Sequence, residues 1–162
     1  MSIEENKALV RRYFEDAPYH PQACDEIFAP VVHFRSIQHV TLNPDFDSSP
    51  QEEKSANEWL KAVWGDWHAT IDELIAEGDQ VVMRWTFHGT QQGELFGLPP
   101  THRQVAYSGI NIFRIADSKI AEVSDIYDRL WMWQQLGVLP ELKEAIAKTK
   151  EIMMSQESGK TE

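Results

Sequence analysis

The sequence is poor in the residues that usually announce a chemistry. Its single cysteine, Cys24, excludes an internal disulfide. Because Cys24 precedes Asp25 and Glu26 rather than a basic residue, it is expected to fill core instead of reacting. Positive charge is scarce: 15 Lys and Arg against 26 Asp and Glu leave a net charge of −11. That balance opposes nucleic acid and anionic membranes as partners and favours a neutral or modestly polar ligand. No apolar run approaches the ~20 residues needed to cross a bilayer. The first residues lack the basic-then-apolar pattern of a secretion signal, so a cytoplasmic protein is expected. His20, His33, His39, His68, His88 and His102 show no HxxxH or HxxEH spacing. There is no phosphate-binding glycine fingerprint, no G-x-S-x-G elbow and no internal repeat. Neither a metal nor a cofactor is therefore expected.

What is present reads as helices first and paired strands after. With 162 residues, the chain suits one domain, since about 150 residues bury roughly 70% of their unfolded surface. Ser2-Ile3-Glu4-Glu5 is a capping box, and Ile3, Leu9, Val10, Tyr13 and Phe14 recur at helical spacing, predicting a helix over residues 3–16 ended by Pro18. A short helix over 21–28 and a strand over 31–40 follow, then a polar loop over 41–49. Ser49-Pro50-Gln51-Glu52 opens a further helix with Ala56, Trp59, Leu60, Val63 and Trp64 on one stripe. Core packing explains that stripe; Trp59 and Trp64 could also supply an aromatic wall for a flat ligand. Glu77-Gly78-Asp79-Gln80 turns a hairpin that sets Arg84 opposite Glu73, Thr86 opposite Ile71 and Val82 opposite Ile75. The Arg84–Glu73 pair is expected to be a surface contact. A helical turn over 129–136 stops at Gly137, and a last helix begins at Pro140. The domain is taken as residues 1–148, with 149–162 a polar, disordered tail.

The stretch VAYSGINIFRIADSKIAEVSDIYDRLWMWQQLG, residues 105–137, is the centre of the chain. It reads as two long strands about an Asp117-Ser118 turn. Counting outward places Ile115 opposite Ile120, Phe113 opposite Glu122, Asn111 opposite Ser124 and Tyr107 opposite Asp128. On that register Asp128 shares a face with Tyr107, Gly109 and Asn111, while Asp125 lies on the other face. A bulge would exchange the two carboxylates. Asp128 also precedes a helix, so it could equally be its N-cap.

The segment GELFGLPPTHRQVAYSGINIFRIADSKIAEVSDIYDRLWMWQQLGVLP, with IDELIAEGDQVVMRWTFHGT and EENKALVRRYFED upstream, resembles the SnoaL-like polyketide cyclases (ester cyclases) of the NTF2-like superfamily. The likeness covers most of residues 2–142. It implies an α+β fold: an NTF2-like cone in which a strongly curved antiparallel sheet wraps the N-terminal helices around a pocket. It implies cofactor-independent, intramolecular aldol-type ring closure, with Asp128 at the position of the family's acid/base aspartate. By the same likeness Tyr13 matches an aromatic pocket residue and His33 a histidine at the pocket rim. Tyr107 and Asn111 are placed to hydrogen-bond the ligand or Asp128.

The chain departs from the family where Gln91 and Val123 stand in place of two histidines. A non-catalytic binding or oligomerisation module, or a different isomerase or hydrolase on this fold, is therefore a second reading. The expected ligand is a hydrophobic or aromatic small molecule. Trp85 and Phe87, with Ile110 and Ile112, are assigned to an apolar outer face of the sheet, which would favour a homodimer.

Overall fold

The long β-branched and aromatic runs after residue 64 pair with two strands from the first half of the chain into one curved sheet, and the helices of the first half pack into its hollow. The computed structural model describes residues 1–36 and 45–158. In chain order the elements are α1 (Ile3–Arg11), a π-helical turn (Arg12–Asp16), a 3-10 turn (Pro21–Ala23), α2 (Cys24–Ile27), β1 (Phe28–Ser36) and β2 (Phe46–Ser48). Then follow α3 (Pro50–Val63), β3 (Trp64–Glu77), β4 (Gln80–Gln91), β5 (Gln104–Ala116), β6 (Lys119–Tyr127), α4 (Arg129–Gln135) and α5 (Leu142–Ser158). The sheet runs β2-β1-β6-β5-β4-β3. All neighbours are antiparallel except β1 and β6, which are parallel, a departure from the expected antiparallel sheet.

Local chemistry fixes the helices. Ser2 and Glu5 form the capping box that starts α1, and the Ser49 hydroxyl accepts from the Glu52 amide to start α3. Phe28 belongs to β1 rather than to the helix before it, because its ring is needed in the core. Residues 46–48, expected as loop, form the edge strand β2 against β1; residues 37–44, where the rest of the expected strand and loop fall, lie outside the described residues. Helix α5 continues to Ser158 through the stretch expected to be a disordered tail.

The core has two parts. Val10, Cys24, Ile27, Phe28, Val81, Met83, Phe113 and Val123 fill the end under α1 and α2. Val63, Trp64, Phe87, Leu95, Val105, Met132 and Leu136 fill the end under α3 and α4. Burying a side chain of this size stabilises by roughly 1.5–3 kcal/mol. Trp85 and Phe87 belong to the concave side, not the outer face assigned from sequence: they alternate in step with Val81 and Met83, which are fully buried. Ile110 is exposed, as expected for the convex side.

Candidate functional site

Two registers decide which side chains enter the hollow. In the β3–β4 hairpin, Arg84 lies opposite Glu73 and Val82 opposite Ile75 as expected, but an irregularity beyond Glu73 sets Thr86 opposite Thr70 rather than Ile71. Arg84 is exposed and donates to Asp72 at 2.9 Å, with Glu73 at 3.7 Å, so it is a surface ion pair. In the β5–β6 hairpin, Ile115 lies opposite Ile120, but the next pair is Arg114 with Glu122, which leaves Ala121 as an extra residue. Every pair beyond that bulge is displaced by one. Phe113 therefore faces Val123, Asn111 faces Asp125, and Gly109 faces Tyr127.

The displacement exchanges the two aspartates. Asp125 points into the hollow with Asn111, Tyr107 and Tyr127. Asp128, expected on that face, is exposed and lines a groove with Ser108, Ile110 and Ile126. Its Oδ1 accepts from the Trp131 amide at 2.9 Å, which makes it the N-cap of α4. The sequence reading of its surroundings is thus corrected, for the physical reason that one extruded residue turns every later side chain to the other face.

The cavity around Asp125 has a volume of about 330 Å³. Besides Asn111, Tyr107 and Tyr127 it is walled by Phe34, Trp59, Leu60, Trp64, Trp85, Leu95, Phe96 and Met132. The Trp85 indole N–H donates to Asn111 Oδ1, fixing both side chains. Gly109 makes room for that indole: a Cβ there would fall 2.4 Å from Trp85 Cζ2. Burial pushes the Asp125 carboxyl above its ordinary range, and the nearby Arg129 guanidinium pulls it part of the way back. Arg129 itself lies 4.5 Å over the Tyr127 ring. The Tyr107 hydroxyl is likewise pushed up by burial, so it remains a neutral donor. A carboxylate, a neutral phenol and an amide thus converge on one apolar space, an arrangement able to move a proton at a ligand oxygen or carbon.

Of the other residues singled out from sequence, Trp59 stands at the mouth, half exposed against Phe96 at 5.8 Å, and Trp64 is buried in the wall with its ring edge on Phe87. Tyr13 lines a second, inner cavity of about 170 Å³. His33 is not brought to either cavity; its Nδ1 pairs with Asp47 Oδ1 at 2.6 Å, and its neighbour Phe34 faces inward instead. Among the described residues no group of three or more His, Cys, Asp or Glu could hold a metal ion. No helix of the described residues is long and apolar enough to cross a membrane.

Gln91, at a position where a histidine was expected from the resemblance, is fully buried and staples the β4–β5 loop. Its Nε2 donates to the Gly93, Leu98 and Pro99 carbonyls, while its Oε1 accepts from the Thr101 amide and hydroxyl. That loop carries Leu95 and Phe96 to the cavity mouth, Phe96 at φ 50°. Val123 is packed in core with no exposure. Sequence reading missed Trp85, Phe34, Tyr127 and the loop residues Leu95 and Phe96. Trp85 was recoverable from its alternation with Val81 and Met83; the loop pair carried no periodic signal.

A model of the SnoaL-like polyketide cyclase family matches residues 8–136. Aklanonic acid methyl ester cyclase DnrD of Streptomyces peucetius is 31% identical over 133 residues, covering 80% of this chain and 88% of DnrD. Among solved structures, TsrD from Streptomyces laurentii is 27% identical with a TM-score of 0.71, covering 86% of this chain and 99% of TsrD. An NTF2-like protein from Burkholderia thailandensis, 18% identical, shares the fold with a TM-score of 0.66 over 84% of this chain and 98% of its own.

Proposed function

We propose that this chain, which belongs to the SnoaL-like polyketide cyclase family, closes a carbon ring in a neutral polyketide ester by general acid–base catalysis without a cofactor. The cyclase role is what its relatives support. The observation that carries the mechanism is the placement of Asp125 in an aromatic cavity opposite Asn111, with its carboxyl raised by burial.

In this mechanism the ionised Asp125 takes a proton from a carbon next to a carbonyl. The resulting enolate carbon attacks a second carbonyl of the same molecule, forming the ring bond, and Asp125 returns the proton to the new alkoxide. Tyr107, kept neutral, donates to the carbonyl oxygen on which charge develops. Among the described residues neither Lys nor Arg lines the cavity, and the nearby Arg129 already offsets Asp125, so a ligand carboxylate would bring a second negative charge beside it. A methyl ester removes that conflict, which agrees with the substrate named for DnrD.

Incubating the purified protein with aklanonic acid methyl ester, and separately with the free acid, tests this reading. Ring closure of the ester in preference to the acid is expected; no closure of either by the protein contradicts it. One observation favours the second reading, a binding module without catalysis: Gln91 and Val123 are committed to a loop and to the core, so neither of those positions supplies an imidazole to the cavity. Tight binding of the ester with no turnover would select that reading.

A further inference from the structure

The inner cavity is ring-sized, polar at one end and unexplained by the chemistry at Asp125. Its walls include Tyr13, Asn57 and Ala69, and it shares Leu60, Trp85 and Tyr107 with the larger cavity. A cavity of about 150 Å³ holds one benzene ring; the inner one measures about 170 Å³ and the outer about 330 Å³. On this scale the outer space takes two fused rings and the inner space a third.

The polar end comes from α1's extension and from a face of α3 that periodicity did not reveal. The sequence stripe put Ala56 inward, but Ala56 is exposed, and Glu53 and Asn57 face the interior instead. Asn57 Nδ2 makes only a 3.8 Å contact with Cys24 Sγ, which leaves its amide oxygen able to accept. The Tyr13 ring is held edge-on by Phe28 at 5.1 Å and Phe113 at 5.7 Å. Among the described residues no side chain hydrogen-bonds its hydroxyl. Among the described residues the lining holds no charged side chain. One turn before Asn57, the buried Glu53 carboxyl accepts from the Ser48 hydroxyl at 2.7 Å, and burial pushes it toward its neutral form. The two polar groups that line this end, the Tyr13 hydroxyl, which burial pushes up, and the Asn57 amide, are themselves neutral.

We propose that the inner cavity is a specificity subsite that receives the terminal ring of a tricyclic or larger aromatic ligand and reads a neutral hydroxyl or carbonyl on it through Tyr13 and Asn57. The proposal rests on the outer cavity being the ligand site. Trp85 is fixed by Asn111 and by its fit over Gly109, and Tyr107 packs on Phe87 at 5.0 Å and Tyr127 at 5.7 Å. Leu60 is thus the wall between the cavities that can yield by changing rotamer.

Quenching of tryptophan fluorescence by naphthoquinone, anthraquinone and alizarin, which adds hydroxyls on a terminal ring, separates the parts of the proposal. Filling the inner cavity with Ala69→Phe should weaken anthraquinone and alizarin about tenfold or more, the loss expected when a ring is no longer buried, and leave naphthoquinone nearly unchanged. Asn57→Leu should weaken alizarin by roughly 3- to 10-fold, the loss of one hydrogen bond, with little effect on anthraquinone. Equal responses of two-ring and three-ring ligands overturn the subsite, as does failure of the native protein to bind any of the three. If Ala69→Phe does not fold, Leu60→Ala, which opens the wall, must favour anthraquinone over naphthoquinone relative to the native protein; equal affinities overturn the proposal. A protein that shows this binding pattern yet closes no ring keeps the subsite and loses the cyclase reading, and the reverse pattern does the opposite.

Discussion

Asn111 faces Asp125 across the β5–β6 ladder, and the single extra residue at Ala121 is what brings them together. Without that bulge Asp125 and Tyr127 would lie on the convex side of the sheet, and Asn111 would face Ser124 instead of a carboxylate. The site therefore depends on a backbone irregularity as much as on the residues themselves.

The ionisation of Asp125 gives the pH dependence. Burial raises its pKa above the ordinary 3.8 and Arg129 opposes that rise. A base must be ionised, so kcat/KM should increase with pH through a value above 3.8. Arg129→Leu removes the opposing charge and should move that limb to higher pH. An unshifted limb in a pH–rate profile of the variant would show that Asp125 is not the group being titrated.

Glu53 offers a test on stability. Its carboxyl, 9% exposed and bonded to Ser48, is raised by burial above its ordinary 4.5. The folded protein therefore holds this proton more tightly than the unfolded chain. The group's contribution is most favourable below pH 4.5 and is lost as pH rises through the folded value. Glu53→Gln keeps the shape and removes the titration, so it should be more stable than the native protein at neutral pH and close to it in acid. Urea unfolding at the two pH values measures this, and a variant less stable at neutral pH contradicts it.

Gly109 tests how tightly the cavity walls are set. A methyl group there would overlap Trp85 Cζ2 and Tyr127 Cβ, which lie 2.4 and 2.8 Å from the position of a Cβ. Gly109→Ala should cost about 1–3 kcal/mol, the range for overpacking, and should weaken ligand binding by displacing Trp85 from Asn111. Thermal melting and fluorescence quenching measure the two effects; a neutral substitution would mean the walls are loosely held.

Much of this architecture was legible because long alternating runs and capping boxes act locally. The capping box at Ser2, the N-cap at Ser49, the hairpin turns and the α+β arrangement all follow from residue type and spacing, although the Glu52 carboxylate accepts from the Ser49 hydroxyl rather than closing a box on its amide. The register of β6 was not, since nothing in Ile120-Ala121-Glu122 marks which residue is extruded. The inward face of α3 was hidden for a different reason: Glu53 and Asn57 are polar, and a hydrophobic stripe cannot reveal a polar group that the fold chooses to bury. Asp128 shows the consequence: the resemblance matched it to the acid/base position while its sequence context also fitted a cap, and the geometry makes it the N-cap of α4.

The roles of the two aspartates can be separated by a single pair of variants. Asn at 128 keeps a good N-cap, so Asp128→Asn should retain native stability, whereas Asp128→Ala should lose about 0.5–2 kcal/mol. The most direct measurement is the rate of ring closure of aklanonic acid methyl ester by Asp125→Asn and Asp128→Asn, each checked for native folding. Loss of turnover in Asp125→Asn with near-native turnover in Asp128→Asn is the predicted result. The opposite pattern, an active Asp125→Asn and an inactive Asp128→Asn, would contradict it.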